Sequence, residues 1–318
     1  GQIYLPKEIF MAVSPQESKY SAHVSPDKPL RIVRLGGGLG NQMFQYAFGL
    51  AAGDVLWDNT SFLTNHYRSF DLGLYNISGD FASNEQIKKC KNEIRFKNIL
   101  PRSIRKKFNL GKFIYLKTNR VCERQINRYE PELLSKDGDV YYDGVFQTEK
   151  YFKPLRERLL HDFTLTKPLD AANLDMLAKI RAADAVAVHI RRGDYLNPRS
   201  PFTYLDKDYF LNAMDYIGKR VDKPHFFIFS SDTDWVRTNI QTAYPQTIVE
   251  INDEKHGYFD LELMRNCHHN IIANSTFSWW GAWLNTNPDK IVVAPKQWFR
   301  PDAAEYSGDI VPNDWIKL

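Results

Sequence analysis

From residue 185 onward the chain alternates short apolar runs with longer amphipathic ones. AVAVHI (185–190), HFFIF (225–229), TIV (247–249), HNIIA (269–273) and KIVVA (290–294) are almost continuously apolar. Between them, Asp208 to Arg220, Asp234 to Ala243, Tyr258 to Cys267 and Phe277 to Asn285 place apolar residues at the helical period. Runs without alternation belong to strands covered on both faces, so their succession with helices predicts a parallel, Rossmann-like sheet. The N-terminal half opens in the same way, with the strand RIVRL (31–35), the loop GGGLG (36–40) and a helix from Asn41 to Ala52. The pattern then weakens and recovers at VYYDGVF (140–146) and a helix over Glu149 to His161. Pro168 interrupts two helical patterns and marks the boundary. The expectation is an α/β protein with an extension at 1–28, Pro- and Ser-studded and without period, and Rossmann-like domains at 29–167 and 168–318.

Length and composition agree: 318 residues exceed the size of one growing core, and 43% hydrophobic residues can fill two. A net charge of +4 is too small for the electrostatic footprint of a nucleic-acid binder, so no nucleic-acid partner is expected. The charge is uneven. Residues 88–128 carry fourteen lysines and arginines against two acids, Glu93 and Glu123, which reads as a solvated face or as a peripheral contact with an anionic membrane or glycan. Three widely spaced cysteines without a CxxC read as free thiols of a reducing compartment, and no apolar run reaches about 18 residues, the length of a membrane span. A cytoplasmic protein is the expectation, with the solvated face the favoured reading of the basic stretch and a peripheral contact with the inner membrane of a bacterium the alternative.

The chemistry-bearing residues gather at strand ends. Four glycines in GGGLG lie between a strand and a helix, where first-turn N–H groups attract anions. The third glycine of a dinucleotide fingerprint is missing, and no Lys-Ser/Thr of a P-loop follows. A tight turn needs fewer glycines, which favours close approach of a ligand to Gly38 and Gly40. HIRRGDY (189–195) places His189, Arg191 and Arg192 where open α/β sheets bind ligands. A guanidinium fork suits a diphosphate and keeps its charge. An ion pair with Asp194 would account for one arginine but not for both and the histidine, and an adhesive Arg-Gly-Asp belongs on an exposed loop. SSDTDW (230–235) holds Ser230 and a formal DxD, Asp232 and Asp234, which is either a helix cap or a metal site; the cap is favoured. In ANSTFSWWGAWLN (273–285), Ser275, Thr276 and Ser278 open a helix, whereas Trp279, Trp280 and Trp283 read as core. Asp260 in YFDLELM is by itself a surface acid, and Cys267, His268 and His269 read as structural.

Together GGGLGNQMFQYAFG, VAVHIRRGDY, FSSDTDW and IIANSTFSWWGAWL resemble the family 11 glycosyltransferases, the α-1,2-fucosyltransferases. The resemblance spans residues 31–294; residues 1–28 have no counterpart in it and 88–128 match weakly. It implies a GT-B type fold of two Rossmann-like domains facing a cleft, the first on the acceptor side and the second binding GDP-β-L-fucose. It further implies inversion at the anomeric carbon and no metal cofactor, with a terminal β-galactoside such as lactose or N-acetyllactosamine as acceptor. Arg191 would then hold the β-phosphate, His189 would lie against the nucleotide, and Asn41 would reach the diphosphate or the fucose. Ser275, Thr276 and Ser278 would line the phosphate pocket, and Asp260 would read guanine. Gly38, Gly40, Arg192, Ser230 and Asp232 complete the expected donor set, and Asp194 is the nearest carboxylate for a general base. Rival readings are a metal-dependent transferase using Asp232 and Asp234, a protein fucosyltransferase and a non-catalytic glycan-binding protein.

Overall fold

The structure, a computed structural model, describes residues 28–64, 68–97, 99–107, 113–193, 197 and 200–318. The N-terminal half begins with β1 (Arg31–Arg34), α1 (Leu39–Ala52), β2 (Leu56–Asp58), α2 (Ser61–Thr64) and α3 (Asn84–Lys91). It continues through β3 (Ile94–Lys97), α4 (Arg102–Lys107), β4 (Phe113–Lys117), β5 (Arg120–Val121), β6 (Val140–Tyr142) and α5 (Arg156–Asp162). Four of these strands form a parallel sheet in the order β2-β1-β6-β5, while β3 and β4 pair antiparallel outside it. Alternation along β1 sets the layers. Ile32 packs with Leu56, Ile87, Cys90 and Tyr141 on the α3 face, and Val33 enters the core shared with Met43 and Phe48 of α1.

The second half runs α6 (Ala171–Arg181), β7 (Asp184–Ile190), α7 (Lys207–Gly218), β8 (Pro224–Ser230), α8 (Thr233–Asn239), β9 (Gln246–Val249) and α9 (Gly257–Arg265). Then follow β10 (His269–Ile271), α10 (Thr276–Leu284), β11 (Val292–Ala294) and β12 (Ile316–Lys317). All six strands are parallel, in the order β12-β11-β10-β7-β8-β9. Val186, Val188 and Ile190 face the layer that includes Phe210 and Met214 of α7. Ala185 and Ala187 face the layer that includes Met264 and Trp280.

Each sheet reverses its direction of growth once. The chain leaves β1 for β2 on one side and later returns to β6 on the other; likewise it runs β7, β8, β9 outward and comes back to β10. Crevices at the carboxyl ends of such strand pairs are where open α/β sheets bind ligands. The two halves meet through aromatic packing: Phe44 of α1 lies 4.5 Å from Trp279 and 5.0 Å from Trp280, and Phe152 stacks on Trp280 at 5.4 Å. The three tryptophans of α10 are core, as expected.

One expected helix is divided. Glu149–Tyr151 and Lys153–Leu155 are separate 3₁₀ turns ahead of α5. Pro154 sits at the start of the second turn, and with no N–H and a ring that clashes with the turn before it, it prevents an α-helix from running through. In the basic stretch Ile99, ahead of α4, and Ile104, within it, are exposed. Among the described residues, no helix is long and apolar enough to cross a membrane.

Candidate functional site

The β7/β10 reversal brings the end of β7, with His189 and Arg191, beside the start of α10, with Ser275 and Thr276. His189 shares the strand face of Ala185 and Ala187, and its ring lies 5.6 Å from that of Phe277 at the start of α10. It is 8% exposed, and its Nδ1 is buried without a hydrogen-bond partner. Burial, reinforced by the positive charge of Arg191, pushes its pKa down to about 3. The imidazole is therefore neutral at any working pH. It is a poor general base, but it is suited to one neutral hydrogen bond with a ligand.

Helix α10 begins at Thr276 with Ser275 as N-cap, and no side chain caps it. Its first amides point out of the helix, and its dipole favours negative charge there. Helix α1 likewise starts on an uncapped Gly38, preceded by Gly37 at φ 78°, a left-handed conformation that favours glycine. The two helix starts touch. Thr276 Oγ1 donates to Asn41 Oδ1 at 3.0 Å, Gln147 Nε2 donates to the same oxygen at 3.0 Å, and Trp280 Nε1 donates to the Gly40 carbonyl at 3.0 Å. A Cβ on Gly40 would fall 2.6 Å from the Thr276 backbone. The contact between the two helices is thus enough by itself to require glycine at position 40.

Asp260 lies in the first turn of α9, one turn beyond Gly257, whose position faces the Phe277 ring. Burial holds its carboxyl up at about 6, although Asn252 Nδ2 donates to Oδ1 at 2.7 Å. Asn252 also exchanges hydrogen bonds with Asn173. The expected surface acid is a half-buried, positioned one.

Other predicted residues do different work. Arg192 is held by its own partners: its Nε donates to Asp232 Oδ2 at 2.9 Å, NH1 donates to the Tyr204 hydroxyl at 2.9 Å, and the guanidinium lies 4.0 Å from the centre of the Trp235 ring. Its acidic partner is Asp232 where Asp194 was considered; Asp194 lies outside the described residues. Asp232 also caps α8 by accepting from Trp235 N, as favoured from the sequence, and Ser230 Oγ accepts from Asp232 N. The Asp234 side chain is fully exposed beside Arg237. Ser278, expected in the phosphate pocket, is 1% exposed and donates back to the Ala273 and Ser275 carbonyls. A third-position serine in a helix finds those carbonyls within its own turn. His269 accepts from Ile291 N through Nδ1, a structural role as expected.

Gln147 and Asn252 were not singled out from the sequence. Each is polar and lies just past a strand, Gln147 after β6 and Asn252 after β9, which is the signal that would have found them.

Two parallel α/β halves, each with its own reversal of strand order and joined at two helix starts, define a GT-B type protein. Residues 129–318 match the family described as Glycosyl transferase family 11. The chain is 32% identical over 302 residues to the Alpha-1,2-colitosyltransferase of Escherichia coli, covering 90% of this chain and 98% of that protein. It is 32% identical over 310 residues to the O-antigen biosynthesis glycosyltransferase WbnK of Escherichia coli, covering 89% and 99%. The Galactoside alpha-(1,2)-fucosyltransferase 1 of Gorilla gorilla gorilla is 28% identical over 216 residues, 60% of this chain and 59% of that protein. This chain belongs to glycosyl transferase family 11.

Proposed function

We propose that the protein transfers L-fucose from GDP-β-L-fucose to O2 of a terminal β-galactoside, with inversion and without a bound metal. The observation that carries this reading is the β7/β10 crevice, where Arg191, whose charge acts on His189, a neutral buried histidine with a free Nδ1 and an uncapped helix start lie together. That set suits a diphosphate leaving group. The acceptor hydroxyl attacks opposite the departing GDP; Arg191, Ser275, Thr276 and Asn41 hold the donor, and Asp194 is the proposed base. The names of two relatives, one a galactoside α-1,2-fucosyltransferase, support the linkage and the acceptor class. The colitosyltransferase at 32% identity favours one second reading, GDP-colitose, which lacks the 3-hydroxyl of fucose. The basic hairpin with exposed Ile99 and Ile104 suits a peripheral contact with an anionic membrane.

Mass spectrometry of products from GDP-fucose, GDP-colitose, GDP-mannose and UDP-galactose offered with lactose or N-acetyllactosamine, followed by linkage analysis, tests the reaction. Fucosyl transfer to O2 is expected, with rates in EDTA and in manganese agreeing within about twofold. A loss above tenfold in EDTA, restored by metal, overturns the metal-free reading.

Asp260 provides a pH test. Reading guanine N1–H and N2–H₂ requires the ionised carboxylate, so GDP affinity should fall as pH drops through about 6. Stability has the opposite sign. A carboxyl whose folded pKa is raised favours folding when protonated and loses that contribution as pH rises through the folded value. Asp260→Asn should therefore raise the melting temperature at pH 8 while weakening GDP binding and flattening its pH profile. Unchanged GDP binding would make Asp260 a purely structural group.

A further inference from the structure

The first sheet has its own crevice, at the β1/β6 reversal, and nothing above occupies it. It is a cleft of about 580 Å³ lined by Arg34, Asp58, Lys91, Arg120, Tyr141 and Asp143, with Thr60 and Ser61 at its edge. That volume is in the range of small-molecule sites. Arg34 comes from the end of β1, Asp58 from the end of β2, and Asp143 follows β6, so the residues converge because parallel strands end together. Its wall is continuous with the glycine-rich loop of the other site: the Arg34 guanidinium and Ser61 Oγ both lie 3.5 Å from where a Cβ on Gly36 would be, and Asn41 Nδ2 sits 2.7 Å from the same point on Gly37.

The hydrogen bonding in the cleft is organised but incomplete. Asp143 receives Arg34 NH1 on one oxygen and Arg120 NH1 on the other, each at 3.0 Å. Asp58 accepts from Thr60 and from the Tyr141 hydroxyl. Lys91 is different. Its half-buried ammonium lies 4.1 Å from the centre of the Tyr141 ring and has no hydrogen-bond partner among the described residues. Burial pushes its pKa down, as expected of a cation whose three donors are not fully matched. The lining offers fixed donors and fixed acceptors a few ångströms apart and is more polar than apolar, with the Tyr141 ring as its aromatic face. An isolated anion would meet Asp58 and Asp143, and an apolar ligand would strand every group. A sugar fits, because each hydroxyl donates to a carboxylate while accepting from a cation, and such charge-assisted bonds are the strong ones.

We propose that this cleft binds a sugar unit of the acceptor glycan, with Lys91 and Asp143 as the residues that select it. This rests on the transferase reading above, and the test separates the two. Lys91→Met keeps the stem over Tyr141 and removes the charge together with its burial cost, so the variant should fold. Its KM for N-acetyllactosamine should rise on the order of tenfold or more while the affinity for GDP is kept, and Lys91→Arg should restore part of the loss. Binding of N-acetyllactosamine alone, followed by saturation-transfer NMR, should weaken in parallel in Lys91→Met. An unchanged acceptor KM with transfer intact overturns the proposal, as does a cleft that takes up inorganic phosphate in competition with the glycan. A wild-type protein that consumes no GDP-sugar overturns the transferase reading, and in that protein loss of NMR-detected glycan binding in Lys91→Met still sustains the cleft as a sugar site.

Discussion

Arg191→Ala is expected to lower turnover by about 10² to 10³, the usual loss when one preorganised charge donor to a developing anion is removed. As the glycosidic bond breaks, charge grows on the β-phosphate, so a guanidinium fixed there stabilises the transition state more than the bound donor. GDP should still bind, because Asp260 and the α10 start remain. Arg191→Lys should recover little, since a point charge cannot reproduce the two-pronged contact. Arg192 is the internal comparison. It is buried against Asp232, Tyr204 and Trp235, so Arg192→Ala removes the ion pair on Asp232 Oδ2, the hydrogen bond to the Tyr204 hydroxyl and the packing on Trp235. Its loss should appear as a lower melting temperature, by an amount corresponding to about 1–3 kcal/mol, with the folded fraction still active. Stopped-flow or product-quench rates beside melting curves separate the two. Arg191→Ala retaining more than a tenth of turnover, with Arg192→Ala folded and dead, would reverse the assignment.

That contrast also shows what is readable along a chain and what is not. Two adjacent arginines look equivalent in HIRRGDY, and only contacts made beyond the end of β7 divide them: the charge of Arg191 acts on His189, and Arg192 reaches Asp232, 40 residues away past the end of β8. The second sheet was legible because β7 and β8 are seven-residue strands covered on both faces, which leaves an unbroken apolar record. In the first half, β2 has three residues and β5 two, too short to carry any period, so neither was foreseen. The site followed the same rule. Residues inside a strand-to-helix motif were singled out, but the parts that depend on long-range contact were not: Asn252 against Asp260, Gln147 against Asn41, and the mixed-charge cleft assembled from three strand ends with Lys91 and Arg120. Gly40 was noticed, but the helix contact that requires it small was not, because that helix begins more than 230 residues later.

Gly40 supports the second large expectation. Replacing a helix glycine by alanine is intrinsically favourable by about 1 kcal/mol, so propensity alone predicts that Gly40→Ala stabilises α1. Contact predicts the reverse. The new Cβ would sit 2.6 Å from both the carbonyl carbon and Oγ1 of Thr276 and 2.7 Å from Phe277 N, and backbone cannot rotate out of the way. The starts of α1 and α10 must move apart, straining the Thr276–Asn41 and Trp280–Gly40 hydrogen bonds and the Phe44–Trp280 packing behind them. Overpacking of this kind costs about 1–3 kcal/mol, which for each half of this size corresponds to a melting temperature lower by several degrees. Turnover should fall further than stability, because Asn41 and Thr276 flank the crevice where the diphosphate is proposed to sit, and a displacement of about 1 Å can cost on the order of 10²-fold. Gly38→Ala isolates the cause: Gly38 has an ordinary φ of −75°, and the nearest atom to its Cβ position is 4.0 Å away, so the same chemical change should leave the melting temperature nearly unmoved. Calorimetry on the two variants, with GDP-fucose turnover measured in parallel, decides the matter. A Gly40→Ala protein that melts higher than wild type would show that the two helix starts are not the joint on which the halves are assembled.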